Sequence, residues 1–202
     1  MLNIQVTQID DFVFADAHTE KRIKQYAEGK RKNNILLHGP MGTGKSATAR
    51  IISDSVRDGG IFNYPTQIYN GAEFDETTLK KIERDWDFQR NAKAAYVILD
   101  EVDRLTAAQQ VKLRAFLDRT SIGNIIMTTN NLHNIDLPLT DRCDVIEFPH
   151  INAELWEEKI RKWLKQYEVQ ATYEQIKGII ETNNGTIRDL IRGVEDIIIE
   201  NK

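Results

Sequence analysis

The sequence predicts an α/β fold, in which a parallel sheet flanked by helices precedes a small C-terminal domain of three helices. Strand and helix patterns alternate from about residue 17 to about residue 149. The run 94–99 is apolar without alternation, which is typical of a strand buried on both faces of a parallel sheet. From Asn152 onward only helical periodicity is present. We therefore expect two domains, an α/β core over residues 1–150 and a helical lid over residues 151–202.

The composition is that of a soluble globular protein, with 41% hydrophobic and 29% charged residues among 202. The net charge of −4 means that any DNA or RNA contact must come from a local patch or from assembly with other subunits. One cysteine excludes an internal disulfide framework and fits a reducing cytosol, so we expect a cytoplasmic protein. The N-terminus shows no signal-peptide pattern, and no apolar run approaches membrane-spanning length, so no membrane association is expected.

The N-terminal elements lead to a glycine-rich loop. A helix is predicted over 17–28, and Gly29 fits the position after its C-terminus. The apolar run 34–38 predicts a short buried strand, and a helix begins near Ala47. Between them lie residues 39–46, whose sequence is G-P-M-G-T-G-K-S.

This loop has the pattern G-x-x-x-x-G-K-[S/T], which is typical of a phosphate-binding loop between a strand and a helix. Its glycines let backbone N–H groups turn toward an anion, and the helix N-terminus adds partial positive charge. We expect Lys45 to reach the β- and γ-phosphates of a nucleotide and the Ser46 hydroxyl to ligate Mg²⁺. A simple turn before a helix is the alternative. The residues expected to contact the nucleotide are Gly39, Pro40, Met41, Gly42, Thr43, Gly44, Lys45, Ser46 and Ala47.

The middle of the chain adds a strand over 67–70, a helix over 76–86 and the buried strand over 94–99. This last strand ends in two adjacent carboxylates, Asp100 and Glu101. Downstream of a phosphate loop, we expect Asp100 to hold Mg²⁺, directly or through water, and Glu101 to polarise the attacking water. A polar strand end without catalytic function is the alternative.

A capping box formed by Thr106 and Gln109 predicts the next helix. The strand over 123–130 ends in polar groups, where the Asn130 amide would orient a hydrolytic water or serve only as a strand cap. A last strand is predicted over 145–148. The helical lid then carries apolar faces over 156–167, 172–180 and 187–198, and the second of these begins with a capping box formed by Thr172 and Gln175. Because about 50 residues bury little core of their own, we expect the lid to pack on the α/β core.

Taken together, these motifs resemble those of AAA+ ATPases, and within that group those of clamp-loader small subunits of the replication factor C and bacteriophage type. The resemblance runs from about Asp10 to the C-terminus. The phosphate loop is similar to Walker A, and the run L-D-E-V-D-R-L over 99–105 closely resembles the clamp-loader Walker B box. Three further motifs match in family order, namely sensor 1 over 128–131, the S-R-C motif over 141–143 and sensor 2 over 185–188.

The resemblance implies an ATPase whose cofactors are ATP and Mg²⁺. It implies catalytic roles for Glu101 and for Asn130 as the sensor 1 residue. Arg142 would be an arginine finger that enters the site of a neighbouring subunit, and Arg188 would reach the γ-phosphate from the lid. The Ser of the family motif is Asp141 here, which sets a carboxylate beside the presumed finger.

The implied partners are other AAA+ subunits in a ring or spiral, a sliding clamp and primer–template DNA. The resemblance places Asn70 where a polar residue restrains the Walker B glutamate, and Gln110 where DNA binding is coupled to the ATP site. Both also have plain interpretations, as a turn residue and a helix-surface residue. The basic residues considered for DNA contact, each of which is equally consistent with a solvated helix face, are Lys80, Lys81, Arg84, Lys112 and Arg114.

Two further departures from the family pattern leave the function open. The E-K-Y-R-P arm before the first helix is absent, and the sequence ends after the lid, where clamp loaders have a helical collar domain. We therefore expect either the ATPase modules alone or a compact variant that assembles differently. The alternatives are a helicase loader or another regulatory ATPase acting on protein, a stator-like module that only binds nucleotide, and a nucleotide kinase. The kinase is disfavoured because we see no Arg-rich lid over a phosphoryl acceptor.

Overall fold

The computed structural model describes residues 4, 6–57, 65–89, 94–183 and 186–201. One sheet contains the strands β1 (Asn34–His38), β2 (Ile68–Asn70), β3 (Tyr96–Asp100), β4 (Asn124–Thr129) and β5 (Cys143–Glu147). Their order across the sheet is β2-β3-β4-β1-β5, and every neighbouring pair is parallel. The predicted α/β fold with a parallel sheet is confirmed.

Helices connect the strands and form the C-terminal part of the chain. They are α1 (Ala17–Ala27), α2 (Lys45–Ser55), α3 (Glu76–Phe88), α4 (Ala107–Arg119), α5 (Leu137–Thr140), α6 (Glu157–Gln166), α7 (Tyr173–Thr182) and α8 (Ile187–Glu200). The sequence does not predict α5, because four residues carry too little periodicity. Both predicted capping boxes are present, since Thr106 and Gln109, and likewise Thr172 and Gln175, bond reciprocally.

Helices cover both faces of the sheet, so its central strands β1, β3 and β4 are buried on both sides. On one face, Tyr26 of α1 and Ile52 of α2 pack with strand residues such as Ile35. On the other face, the rings of Trp86 in α3 and Phe116 in α4 stack with centroids 5.5 Å apart. This sandwich explains the uninterrupted apolar runs in the central strands.

The C-terminal helices share a third apolar cluster with the N-terminal segment and α2. Trp156, in the turn before α6, and Trp163, within α6, have ring centroids 6.1 Å apart. Phe12 and Ile51 belong to the same cluster, so the lid packs directly on the α/β core. Across the described parts of the chain, no helix has the length and apolar character that crossing a bilayer requires.

Polar contacts also join the lid to the core. The backbone N–H of Ile187, the first residue of α8, donates to the carbonyl oxygen of Gly42 in the glycine-rich loop at 2.9 Å. The ammonium of Lys162 lies 3.1 Å from the Asp11 carboxylate, which also accepts hydrogen bonds from backbone N–H groups of its own segment. The glycine-rich loop and the lid are therefore in direct contact.

Candidate active site

The carboxyl ends of β1, β3 and β4 meet the lid at a cleft of about 950 Å³. Ligands of open parallel sheets bind outside this edge of the strands. Because β4 lies between β1 and β3, the residues after β4 lie between the glycine-rich loop and the acidic pair. The predicted site residues that line the cleft are Met41, Gly42, Gly44, Lys45, Ser46, Ala47, Asp100, Glu101, Asn130 and Arg188. Gly39, Pro40 and Thr43 belong to the same loop but are not among the lining residues.

The glycine-rich loop forms a cradle that side chains would fill. Gly42 and Gly44 have φ values of 78° and 98°, which L side chains rarely adopt. A Cβ on Gly42 would lie 2.8 Å from the Thr186 Cβ, and one on Gly44 would lie 2.6 Å from the Phe12 ring. The first N–H groups of α2 have no partner within the helix and lie at the same place. Bare backbone donors at a helix N-terminus fit a phosphate group.

Lys45 is buried at the base of this loop, with 6% of its surface exposed. Its Nζ donates to the carbonyl oxygens of Gly39 at 2.7 Å and Pro40 at 2.6 Å. Burial lowers the pKa of Lys45 to about 8, because desolvation disfavours the ammonium form. A phosphate anion would be a stronger acceptor for this ammonium than the two carbonyl groups are.

Asp100, the last residue of β3, accepts hydrogen bonds from two hydroxyl groups. The Ser46 Oγ donates to Asp100 Oδ1 at 3.0 Å, and the Thr128 Oγ1 donates to the same oxygen. A carboxylate beside a hydroxyl is an all-oxygen donor set of the kind that Mg²⁺ prefers. Ser46 and Asp100 therefore fit a magnesium ion.

Glu101 has a left-handed backbone conformation, with φ of 58° and ψ of 49°, which is rare for a residue with a side chain. Its carboxylate Oε2 accepts from Asn70 Nδ2 at 3.3 Å and lies 2.9 Å from Arg104 Nε. A Cβ on Gly71 would lie 2.3 Å from the Glu101 carbonyl oxygen, so the end of β2 presses against this residue. Side-chain partners and close packing thus hold Glu101 in place, and the contact expected between Asn70 and Glu101 is present.

Asn130 and Arg188 approach the cleft from the sheet and from the lid respectively. The Asn130 N–H donates to Asp103 Oδ1 at 3.4 Å, and the Thr129 Oγ1 donates to the same oxygen at 3.1 Å. The loop after β4 is therefore tied to the turn after β3. Arg188 lies in the first turn of α8 and is exposed. Gly185, the first residue of the predicted sensor 2 motif, lies outside the described residues.

Arg142 does not line the cleft of its own chain. Its Nε and Nη2 donate to the two carboxylate oxygens of Asp118 in α4, the latter at 2.8 Å, and its Nη1 donates to the Pro138 carbonyl oxygen. The Arg142 carbonyl oxygen accepts from Asn34 Nδ2, at the amino end of β1. Because Arg142 directly precedes β5, it lies near the amino ends of the strands. The cleft lies at their carboxyl ends, roughly one strand length or ~16 Å away.

Gln110 is buried, with 5% of its surface exposed, so its interpretation as a helix-surface residue is wrong. Its Nε2 donates to the Asn134 carbonyl oxygen, and its Oε1 accepts from the Asp136 N–H, both at 2.8 Å. It therefore braces the loop between β4 and α5. Among the basic residues considered for DNA contact, Lys80, Lys81, Arg84 and Lys112 are exposed, and Arg114 is half-buried. Lys112 and Arg114 pair with Glu76 and Asp136 respectively.

Sequence reasoning missed several groups at the cleft. The sequence predicts Thr128 only as part of the sensor 1 motif, because its bonds to Asp100 and Glu101 depend on the pairing of β3 with β4. The sequence analysis also does not predict the contact between Arg104 and Glu101, although the two residues lie three positions apart. The lid side of the cleft is formed by residues of α8 at helical spacing, which places them on one face of that helix. These residues are Arg188, Ile191, Arg192 and Glu195.

Comparison with known proteins gives a family match to the α/β core. The model of AAA, the ATPase family associated with various cellular activities, matches residues 35–150, which is more than half of the chain. The matched segment begins in β1 and ends after β5, so it contains the glycine-rich loop, the acidic pair and Asn130.

Similar curated proteins are named as subunits of replication factor C. The replication factor C small subunit of Archaeoglobus fulgidus is 27% identical over 192 residues, covering 92% of this chain and 59% of that protein. The replication factor C small subunit 1 of Pyrobaculum arsenaticum is 29% identical over 177 residues, covering 84% of this chain and 53% of that protein. The chain thus spans between half and three fifths of the length of these relatives.

Solved structures with the same fold include two bacterial proteins. The RuvB Holliday junction branch migration motor of Thermotoga maritima superposes with a TM-score of 0.73 at 16% identity, covering 97% of this chain and 71% of that chain. AMPPCP-bound DnaA from Aquifex aeolicus superposes with a TM-score of 0.66 at 16% identity, covering 94% and 62%. These identities show the fold alone. The family match, the parallel sheet and the glycine-rich loop agree, and the chain belongs to the AAA family of ATPases.

Proposed function

We propose that this chain is an ATPase subunit of a DNA-replication clamp loader. In this proposal it binds ATP with Mg²⁺, hydrolyses the nucleotide in an assembly of several subunits, and helps to load a sliding clamp onto primer–template DNA. The observation that carries the proposal is the convergence of a phosphate cradle, two carboxylates, an amide and a lid arginine on one cleft. A module that only binds nucleotide has no use for Glu101 and Asn130 at such positions.

The proposed roles follow from the chemistry of each group. Lys45 neutralises the β- and γ-phosphates, and the cradle around Gly42 donates backbone hydrogen bonds to them. Ser46 and Asp100 hold Mg²⁺, which when bound would neutralise charge on the phosphate oxygens. Glu101 accepts a proton from the attacking water. In the structure its carboxylate instead faces Asn70 and Arg104, so turnover requires it to leave these partners.

Three further groups complete the proposed site. Asn130 orients the water, and Arg188 contacts the γ-phosphate from the lid, so that lid position and nucleotide state are linked. Phe12 lines the same cleft next to the lid and would flank the base. The DnaA structure with bound AMPPCP, an ATP analogue, supports ATP as the nucleotide.

Arg142 is proposed to act in the cleft of a neighbouring subunit. Its place at the amino end of β5, roughly one strand length or ~16 Å from its own cleft, is too far for direct contact with the nucleotide bound there. An arginine supplied by another subunit is worth roughly 10³–10⁵ in rate where measured. Hydrolysis would then depend on assembly.

The clamp-loading part of the proposal is supported by the relatives named as replication factor C small subunits and by the D-E-V-D-R box over 100–104. These relatives are longer than this chain, so the activity of the whole protein is carried over as a proposal. A regulatory ATPase that acts on a helicase would use the same cleft with a different partner.

The test is steady-state ATP hydrolysis over a range of protein concentrations, with and without primer–template DNA and sliding clamp. We expect the rate per subunit to rise with concentration and with DNA, and Lys45→Ala to abolish it. Arg142→Ala should lower it by roughly 10³. Arg119→Ala is the matched control, because Arg119 is an exposed arginine on α4 whose contacts are with Glu83 at 3.4 Å and with the Phe116 ring, away from the cleft. We expect it to leave the rate unchanged.

A mixing experiment decides whether Arg142 acts between subunits. The Lys45→Ala variant has an inactive cleft but keeps Arg142. The Arg142→Ala variant has an intact cleft but cannot supply the arginine to a neighbour. Recovery of hydrolysis on mixing is the expected result, and no recovery would contradict action between subunits. If primer–template DNA does not change the hydrolysis rate of a full assembly with clamp, clamp loading is contradicted. If a helicase raises the rate instead, the regulatory alternative is favoured.

A further inference from the structure

Thr128 occupies a buried position between the two acidic residues and the glycine-rich loop. It is the fifth residue of β4, with 2% of its surface exposed, and it lies opposite Leu37 of β1. The backbone register between β3 and β4 runs to Leu99 opposite Met127, so Thr128 comes directly after the last pair. Its side chain lines the cleft.

The hydroxyl of Thr128 bonds to both acidic residues at once. Its Oγ1 donates to Asp100 Oδ1 and accepts from the backbone N–H of Glu101 at 3.2 Å. The direction of each bond is fixed by chemistry, because an ionised carboxylate only accepts and a backbone N–H only donates. The one hydroxyl group therefore donates its proton to the Asp100 carboxylate and accepts the backbone N–H of Glu101 with a lone pair.

Each of these bonds constrains a different property of the site. The bond to Asp100 fixes the carboxylate rotamer independently of Ser46, whose hydroxyl bonds to the same carboxylate at 3.0 Å and 3.2 Å. If the Ser46 hydroxyl turns toward a cation, Thr128 still holds Asp100. The bond to the Glu101 N–H fixes the backbone of a residue whose φ of 58° is otherwise unfavourable.

The hydroxyl is not required by the strand or by the core. The three residues before Thr128 in β4 are Ile125, Ile126 and Met127, all fully buried and apolar. A β-branched apolar residue such as valine suits this environment at least as well as threonine. The polar atom at this position is thus explained by its contacts with Asp100 and Glu101 rather than by packing.

We propose that Thr128 is a positioning residue that orients the metal-binding carboxylate of Asp100 and the water-activating Glu101 through one shared hydroxyl group. This inference rests on the proposed function, since it assigns Thr128 to the Mg²⁺–ATP chemistry of that cleft. Groups that orient metal ligands typically account for 10–100-fold in metal affinity or activity.

The test compares Thr128→Val, which removes only the hydroxyl, with Thr128→Ser, which keeps it. Binding of a fluorescent ATP analogue is measured in MgCl₂ and in EDTA, together with the MgCl₂ concentration that gives half-maximal hydrolysis. For Thr128→Val we expect the gain in affinity caused by Mg²⁺ to shrink by about 10-fold, turnover to fall 10–100-fold and binding in EDTA to stay unchanged. Thr128→Ser should remain within a few-fold of the unmodified protein.

Thr48→Val is the matched control. Thr48 is also fully buried, and its Oγ1 has no hydrogen-bond partner among the described residues, so this replacement removes no bond. We expect it to bind and hydrolyse nucleotide as the unmodified protein does. If Thr128→Val fails to fold, Thr128→Ala and Thr128→Ser form a second pair that differs only in the hydroxyl.

The inference is overturned if variants without the hydroxyl keep the Mg²⁺ dependence and turnover of the unmodified protein. It is also overturned if they lose affinity equally in MgCl₂ and in EDTA, because that result indicates a general structural role. Either result leaves the proposed ATPase function standing, provided the unmodified protein binds and hydrolyses Mg²⁺–ATP. If the unmodified protein shows neither activity, both proposals fall together.

Discussion

Lys45 combines a strongly basic side chain with a buried position, and its contacts with two carbonyl oxygens leave its charge only partly compensated. Burial lowers the pKa of this amine to about 8, whereas an unperturbed lysine titrates near 10.4. A bound phosphate anion favours the ammonium form and therefore raises the pKa again. Nucleotide binding and protonation of Lys45 are thus linked.

This linkage has a sign that can be measured. Near pH 7 the free protein already holds the proton on Lys45, so nucleotide binding should cause little proton uptake. Near pH 8 about half a proton, and near pH 9 almost one proton, should be taken up per site, and the affinity should fall as pH rises through this range. Calorimetric titration in two buffers of different ionisation enthalpy measures the uptake.

Lys45→Arg is the control for this experiment, because a guanidinium group keeps its proton across the whole range. It should bind nucleotide without the pH-dependent uptake. Equal proton uptake by Lys45→Arg would show that another group takes up the proton. No proton uptake by the unmodified protein at pH 9 would show that the pKa of Lys45 is not lowered.

At the scale of elements, the end of β2 controls the position of the residue that follows β3. Asn70 closes β2 and bonds to the Glu101 carboxylate, while Gly71 packs against the Glu101 backbone. A Cβ on Gly71 would come within 2.3 Å of the Glu101 carbonyl oxygen and 3.0 Å of its carbonyl carbon. Since both contacts are to backbone, no side-chain rotation relieves them.

Gly71→Ala should therefore displace Glu101 and cost about 1–3 kcal/mol in the free energy of unfolding, in the range of other overpacked sites. Nucleotide binding should persist while turnover falls, because the phosphate cradle lies elsewhere. Urea denaturation and steady-state hydrolysis give the two readouts.

Gly178→Ala provides the comparison for this prediction. Gly178 lies within α7, and a Cβ there meets nothing within 4 Å. We expect this replacement to stabilise the protein by roughly 0.5–1 kcal/mol, through better helix propensity. A Gly71→Ala variant as stable and active as Gly178→Ala would contradict the proposed packing constraint on Glu101.

Local patterns predict most elements of this fold but not the short α5, and contacts between distant elements are not predictable from them. Apolar runs located the central strands, and capping boxes located two helix starts, because both signals lie within a few residues. The glycine-rich loop and the Asp100–Glu101 pair were found for the same reason. The pairing of Arg142 with Asp118 depends on how α4 packs against the segment before β5, and the bonds of Thr128 depend on the pairing of β3 with β4. One sequence specifies neither arrangement.

At the scale of the whole molecule, the shared apolar cluster of lid, α2 and N-terminal segment predicts that lid and core unfold together. The three tryptophans report on different parts, since Trp86 packs against the sheet and Trp156 and Trp163 lie in the lid cluster. Trp86→Phe leaves fluorescence from the lid alone. The double variant Trp156→Phe/Trp163→Phe leaves fluorescence from the core alone.

In both variants the fluorescence midpoint in urea should coincide with the midpoint from far-ultraviolet circular dichroism of the same variant, which is the internal control. A saturating nucleotide should raise both midpoints, because it binds only the folded form. A lid signal that is lost at lower urea than the circular dichroism signal would show that the lid unfolds independently, despite its contacts with Phe12 and Ile51.

The position of Arg142 has a consequence for counting sites in an assembly. Arg142 lies near the amino ends of the strands and the cleft at their carboxyl ends, so in the proposed assembly a subunit that lends its arginine to a neighbour must contact that neighbour head-to-tail. In an open series of n copies, one terminal cleft receives no arginine and the arginine at the other end serves no cleft. Such a series holds n − 1 complete sites, and only a closed ring completes them all.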